Sequence, residues 1–298
     1  MKIFVSGATG VIGKRAVPLL LNSGHQVTAV ARSPEKAEQL QKLGAEAKQV
    51  SLFDVEAIKK AVQGHDAIIN VATHIPPSTR AFFPSAWKEN DRIRKFGSAN
   101  LVDAAIFNGV KVFVQESFAP MYRDHGDDWI DENWDVKPVR YNLTTLDAEQ
   151  SVQRFIQSGG RGIALRFSYF YGPDPGGATM DIIRFLKKGW VALPGSPEAF
   201  ISSISHDDVA AAVVNALNIE SGIYNVSDDE PLRRREFFNS LADVLGVHHP
   251  KFLPRWISKL MGSTAELLSR SLRISNQKFR NASGWQPKFP SVREGWRA

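Results

Sequence analysis

The 298-residue chain carries a net charge of +6, is 43% hydrophobic and contains no cysteine. It is long enough for one large or two modest domains around a sizeable core, and the missing thiols exclude disulfides, cysteine nucleophiles and cysteine-ligated metals. No run approaches the roughly 18 consecutive apolar residues of a spanning helix, and the opening MKIFVSGATG lacks the apolar core of a secretion signal, so a soluble, cytoplasmic protein is expected.

The first 115 residues alternate β-branched apolar runs with helical patterns. KIFVSG precedes a helix from about Lys14 to Asn22, with Gly24 as its C′ residue, and QVTAVA precedes a second helix for which Ser33 and Pro34 supply N-cap and N1. DAIINVA completes a βαβαβ series, the pattern of a parallel sheet covered on both faces. A long helix to about Phe107, ended by Asn108-Gly109, leads into VKVFVQES, and GIALRF repeats that role after a helix headed by Tyr141. The fold class read from this order is α/β, a Rossmann-type doubly wound parallel sheet with a smaller, interleaved C-terminal substrate domain. The dinucleotide-binding part takes residues 1–172 and about 200–218, where SHDDVAAAVVNAL forms a helix capped by Ser205; the substrate part takes about 173–199 and 219–298. The apolar stretch 74–90 is too long for a simple connection and suits a lid or substrate wall.

SGATGVIG places Gly7, Gly10 and Gly13 between the first strand and the first helix, with Thr9, Val11 and Ile12 completing the turn. Glycines let the backbone bend sharply and bring its N–H groups close to a pyrophosphate, while the helix N-terminus adds partial positive charge. At the end of the second strand an acidic residue accepts ribose hydroxyls, whereas a cation accommodates a 2′-phosphate. The chain has Ala31-Arg32-Ser33 there, which favours NADP(H) over NAD(H); the alternative is an exposed Arg32 beside a Ser33 that only caps.

GATGVIG, LFD at 52–54, NVAT at 70–73, GVKVFVQES at 109–117, RFSYFYGP at 166–173, DDVA at 207–210 and GIYNVSDDEP at 222–231 together resemble the extended short-chain dehydrogenase/reductase superfamily, nearest its epimerase/dehydratase branch. The resemblance implies a place near the adenine for Asp54 and along the cofactor for Val71, Ala72 and Thr73. It also implies a tyrosine acid/base with a lysine four residues later, and a hydroxyl residue at the end of the preceding strand. Tyr141 matches the tyrosine, but Thr145 stands where the lysine belongs and Phe118 where the hydroxyl belongs, with Ser117 just before it.

An unperturbed tyrosine has a pKa of about 10, so only about one molecule in a thousand is phenolate at neutral pH. Without a neighbouring cation Tyr141 is a poor base for oxidation, yet a neutral phenol still donates a proton to a carbonyl. Arg140, Lys137 and Arg123 are the sequence candidates for the missing charge, and a helix-end aromatic with no catalytic role is the alternative for Tyr141. His74, Trp87, Phe118, Tyr122 and Tyr169 suggest an aromatic substrate pocket, better suited to an apolar or aromatic carbonyl compound than to a bare sugar nucleotide.

From Pro231 to the end there are 13 Lys/Arg against 4 Asp/Glu, read as a solvated basic face; an anionic ligand or a membrane surface are the other uses. RRR at 233–235 is an isolated run, and no nucleic-acid partner is expected. The acidic DHGDDWIDENWD lacks metal-ligand spacing, so no metal is expected. His248-His249 reads as a loop pair, and the amphipathic stretch from Pro254 to Ser275 as a domain cover or a homodimer contact rather than a membrane helix. The functional expectation is an NADP(H)-dependent oxidoreductase moving hydride to or from a carbonyl or hydroxyl carbon of a small molecule, with Tyr141 as proton donor and Ser117 as a weaker polar partner. The alternatives are a dinucleotide-binding sensor that has lost turnover and a sugar-nucleotide epimerase or dehydratase.

Overall fold

Ile3, Phe4 and Val5 follow one another in strand β1 (Lys2–Ser6) with no exposed surface on any of them, so both faces of this strand must be covered. The computed structural model describes residues 1–77, 80–81, 83–174, 178–191, 195–252 and 262–298. The expected helix from Pro254 lies outside them in its first part, as do the end of YGPDPGG and the start of LPGSPEAF.

The strands continue as β2 (Gln26–Ala31), β3 (Glu46–Gln49), β4 (Ala67–Asn70), β5 (Val112–Phe118), β6 (Trp129–Ile130), β7 (Arg161–Phe167), β8 (Tyr169–Tyr171), β9 (Phe200–Ile201), β10 (Ser203–Ser205) and β11 (Gly222–Val226). Seven of them form one parallel sheet in the order β11-β7-β5-β4-β1-β2-β3. This is the expected Rossmann-type fold. The winding reverses between β1 and β4, where Val5 faces Ile69 and Ser6 faces Asn70. An open sheet has its crevice beyond the carboxyl ends of its strands at such a point.

The helices of the first half are α1 (Gly13–Asn22), α2 (Pro34–Lys42), α3 (Val55–Val62), α4 (Lys88–Arg92) and α5 (Ser98–Phe107); those of the second are α6 (Thr145–Gln157), α7 (Ala178–Leu186), α8 (His206–Asn215) and α9 (Arg234–Leu245). One core layer joins Ile3 and Val5 to Val17 and Leu20 of α1 and Val209 and Val213 of α8, and it also takes in Phe279 and Trp285 near the C-terminus. The other joins Phe4 to Ile58 of α3, Leu101 of α5 and Phe155 of α6. A third cluster, with Ile201, Phe237, Phe238 and Val292, forms the smaller C-terminal layer. Asp174 fastens the loop after β8 to the first turn of α1 through Lys14 and through Arg15 at 2.9 Å.

Local chemistry follows the expected rules at several ends. Gly24 adopts φ +77° after α1. Ser33 accepts the Lys36 N–H at 3.4 Å, and Ser205 accepts the Asp208 N–H at 3.0 Å.

Three features differ from the sequence reading. Gly222–Val226, grouped there with the substrate part, pairs with β7 as the edge of the main sheet. The helix ending at Phe107 is interrupted by a π-turn over Ile93–Gly97. Tyr141 precedes α6 on a 3₁₀ turn, Arg140–Asn142, rather than heading the helix.

The glycines of the first turn are held to different degrees. A Cβ on Gly7, which sits at φ +79°, would come within 2.5 Å of the Val71 carbonyl, and one on Gly13 would collide with the Gly7 carbonyl. Gly10 has ordinary φ and its Cβ would stand 3.2 Å from Gly7 O. Gly7→Ala and Gly13→Ala are therefore expected to lower unfolding stability by about 1–3 kcal/mol or more in denaturant titrations, the usual effect of overpacking. Gly10→Ala should change it much less; equal losses at all three positions would contradict the close approach of this turn to Val71.

Candidate active site

The turn after β1 closes on itself through the Gly10 N–H to the Gly7 carbonyl at 2.9 Å, and Lys14 N–H then bonds Gly10 O at 3.0 Å to open α1. Ile12, at the N-cap position, provides no side-chain cap. Its side chain is buried in the core, so only its backbone faces the crevice, whereas Thr9 is half-buried and Gly10 and Val11 are exposed. Uncapped N–H groups converging on a glycine cradle can accept an anion such as a diphosphate.

Arg32 is exposed at the end of β2 and makes no ion pair with any described residue. Ser33 beside it already holds the start of α2, so the capping role assigned to it from sequence is present whatever else it binds. Asp54 likewise caps α3, accepting the Ala57 N–H at 3.0 Å, and remains exposed. Beyond β4, Val71 is buried while Ala72 and Thr73 are half-buried along the crevice, and Ala72 N–H reaches Asn70 Oδ1 at 3.3 Å.

Four of the expected aromatic residues meet in two pairs. The Trp87 ring lies 4.6 Å from the Tyr141 ring at an angle of 35°, and its own N–H is held by the Ala81 carbonyl at 2.8 Å. Phe118 meets Tyr169 edge-on at 6.1 Å. His74 is exposed, its backbone N–H fixed by Asn90 Oδ1 at 2.9 Å, and it lines a cleft of about 380 Å³ with Pro76, Pro77, Lys88 and Arg92.

Burial pushes the Tyr141 phenol well above its ordinary value, and Tyr169 adds to the effect while Arg270 and Arg94 oppose it. Tyr169 is pushed up to about 12 by burial, against Arg234 and Arg270, and its buried hydroxyl has no hydrogen-bond partner among the described residues. Both phenols are therefore proton carriers at neutral pH.

Ser117 and Tyr122 are tied into a buried polar network. Ser117 has no exposed surface and donates to Glu149 Oε1 at 2.6 Å; Arg166 grips both oxygens of Glu149 at 2.8 Å. Arg166 also donates to the Tyr122 hydroxyl at 2.7 Å, which itself donates to Asn225 Oδ1 at 2.8 Å. Tyr122 is fully buried, and burial raises its pKa to about 12. Both residues belong to a polar network that joins β5, α6, β7 and β11.

The cations expected to replace the lysine are engaged elsewhere or face solvent: Lys137 pairs with Glu266 at 3.3 Å, Arg123 with Asp135 at 2.5 Å, and Arg140 is exposed. Thr145 instead accepts a hydrogen bond of 2.8 Å from Arg94, whose other nitrogen bonds Glu116 at 2.8 Å. Sequence reasoning missed Arg94, although its spacing to Ser98, Leu101 and Ala105 places it on the buried stripe of its helix. A charged residue on that stripe was the available signal. In the acidic loop, His125 packs on Trp134 at 4.1 Å, and among the described residues no cluster of three or more His, Asp or Glu could hold a metal ion.

Residues 7–220 match the family model described as NAD(P)H-binding. A 3-diazoavenalumate denitrifying reductase from a Streptomyces species is 30% identical over 309 aligned positions that cover 99% of each chain. Among solved structures, the Thermus thermophilus UDP-glucose 4-epimerase complex with NAD superposes with a TM-score of 0.78 at 26% identity, covering 100% of this chain and 97% of that one. The human epimerase family protein SDR39U1 with NADPH gives a TM-score of 0.81 at 20% identity over 100% and 98% of the two chains. The chain belongs to the NAD(P)H-binding family, within the extended short-chain dehydrogenase/reductase superfamily that also holds the epimerases and dehydratases.

Proposed function

We propose that the protein is an NADP(H)-dependent reductase of small carbonyl compounds in which Tyr141 delivers the proton. The observation that carries this reading is the half-buried Tyr141 phenol, at the family's donor position, with its pKa raised by burial and no hydrogen bond to another described residue. The glycine cradle and the uncapped start of α1 suit the pyrophosphate of the dinucleotide. Arg32 suits a 2′-phosphate because its guanidinium is exposed and without an ionic partner among the described residues. When bound, the reduced nicotinamide supplies hydride. Tyr141 gives its proton to the oxygen of the accepting carbonyl, and Trp87, tilted against its ring at 4.6 Å, restricts where the phenol can sit.

Trp87, Phe118 and Tyr169 favour an apolar or aromatic carbonyl substrate with His74 at the entrance. The Streptomyces relative is a reductase, which supports the direction of hydride transfer. An epimerase must also oxidise, and its tyrosine must act as base. A phenol raised well above 10.0 opposes that role.

Tyr141→Phe is expected to lower steady-state carbonyl reduction by about 10²- to 10⁴-fold, the usual share of a positioned general acid, with NADPH affinity unchanged in fluorescence titration. Unchanged turnover would remove Tyr141 from the reaction, and no turnover of any carbonyl by wild type would favour a sensor. Arg32→Ala should weaken NADPH by about 10- to 100-fold, corresponding to about 1.5–3 kcal/mol for a charged hydrogen bond, and leave NADH unaffected; equal affinities of wild type for both cofactors would remove the 2′-phosphate assignment. Since reduction needs protonated Tyr141 and its pKa lies above 10.0, kcat for reduction should show no loss attributable to this group between neutral pH and pH 10. An alkaline limb that depends on Tyr141 and falls within that window would contradict the raised pKa.

A further inference from the structure

Two buried guanidiniums bracket Tyr141 along the chain. On the C-terminal side, Arg94 Nη1 donates to Thr145 Oγ1 at 2.8 Å, four residues after Tyr141. On the N-terminal side, Arg270 Nη1 donates to the Lys137 carbonyl at 2.7 Å, four residues before it. We infer that Arg94 and Arg270 together replace the lysine missing at position 145, holding the Tyr141 turn at both ends and stabilising the phenolate left when its proton is given up. This inference rests on the reading of Tyr141 as proton donor.

The geometry separates these two residues from the other cations near the turn. Their side chains are each 4% exposed, whereas Lys137 is 55% exposed. A charge in the interior is little screened by solvent or salt and acts over longer distances. Arg94 is made tolerable there by Glu116, itself 7% exposed, and the fork geometry directs one nitrogen at the carboxylate and the other at Thr145. The positive end of this buried dipole thus faces the first residue of α6. Arg270 is fixed by the Tyr122 carbonyl at 2.9 Å and by Glu266 at 3.2 Å besides Lys137.

The π-turn Ile93–Gly97 carries Arg94, and such a turn changes the phase of a helix where a particular side chain must be aimed. The charged and titratable groups acting on the Tyr141 phenol are Tyr169, which disfavours phenolate, and Arg270 and Arg94, which favour it. In the reduction, the Tyr141 O–H bond breaks as its proton goes to the carbonyl oxygen and hydride from the reduced nicotinamide forms the new C–H bond. The negative charge then rests on the phenol oxygen until solvent reprotonates it, and this is the charge the two guanidiniums stabilise. Neither needs to touch the substrate: both are positioning residues.

The test measures the phenol without requiring a substrate. Replacing the 5 tyrosines with 3,5-difluorotyrosine acidifies their hydroxyls, and Tyr141→Phe identifies the resonance of position 141 in fluorine NMR. Arg94→Gln combined with Glu116→Gln removes both charges while leaving no unpaired buried ion. The Tyr141 midpoint should move to higher pH by about one unit, a tenfold fall in phenolate at a given pH, and Arg94→Lys should leave it near wild type. Arg270→Gln, measured in parallel, should move it in the same direction and gives a second reading if the double variant does not fold. Midpoints unchanged in the folded variants would overturn the inference, even if Tyr141→Phe abolishes reduction. Conversely, a shifted midpoint with full activity in Tyr141→Phe would leave the field intact and remove the proton-donor reading.

Discussion

The close approach of the first turn to the end of β4 is the constraint on which the crevice depends. Gly7 lies so near Val71 that the smallest side chain would strike its carbonyl. Ser6 immediately before it donates to Asn70 Oδ1 at 2.5 Å, and Asn70 passes the connection to Gln115 of β5 at 2.8 Å and to Ser98 of α5 at 3.2 Å. These side chains are fully or almost fully buried, so their polar atoms must find partners within the protein. The result is a fixed relation among β1, β4 and β5 at the carboxyl ends of the strands. The start of α1, the Val71–Thr73 segment and the helix carrying Arg94 all leave from this point.

A second polar system holds two of the expected site residues, Ser117 and Tyr122. Ser117, Glu149, Arg166, Tyr122 and Asn225 form an unbroken series of bonds, extended by Glu132, which accepts the Asn225 N–H at 2.7 Å. Burial raises the Glu132 pKa, and the Asn225 bond opposes that rise. A buried charged pair contributes little if any member lacks a partner, so the groups that join β5 to β7 and β11 are not readily released to a ligand. A side chain on β5 points to one layer or the other. Ser117 points towards α6, and Phe118, next along the strand, meets Tyr169 instead.

The parts of the fold that rest on short-range patterning were legible in the chain. Ser33-Pro34, Gly24 and Ser205 marked helix ends because capping is a local bond between neighbours, and the run KIFVSG implied a strand covered on both faces. The glycine spacing after β1 was legible for the same reason. The destination of a side chain was not. Tyr122 and Tyr169 are both aromatic residues near strand ends, and only the positions of Arg166 and Asn225, 44 and 103 residues away from Tyr122, bury the hydroxyl of one in a network. The partner of Arg94 was hidden similarly, since 51 residues separate it from Thr145 and a π-turn alters the phase of its helix. Gly222–Val226 joins the main sheet through β7, a pairing that a five-residue apolar run cannot reveal alone.

In the proposed reading of Tyr141, the departures from the family's pattern act in one direction. A lysine at position 145 would place an ammonium at the start of α6, just beyond the turn that carries the tyrosine, and a hydroxyl at position 118 would give the substrate oxygen a second polar neighbour. Thr145 and Phe118 remove both, and Trp87 covers the Tyr141 ring with an apolar surface. Each change makes the surroundings drier, and a drier environment disfavours phenolate more than phenol. Guanidiniums held back on Thr145 and Lys137 offset part of that effect without placing a cation in the crevice. Such a site keeps its proton until an acceptor arrives, and stabilises the resulting charge from behind. Oxidation of an alcohol needs the reverse order, in which the phenolate exists first and waits for substrate. In the proposed reading, this combination of buried tyrosine and distant cations favours reduction, through the residues that stand in for the lysine rather than through any one contact with substrate.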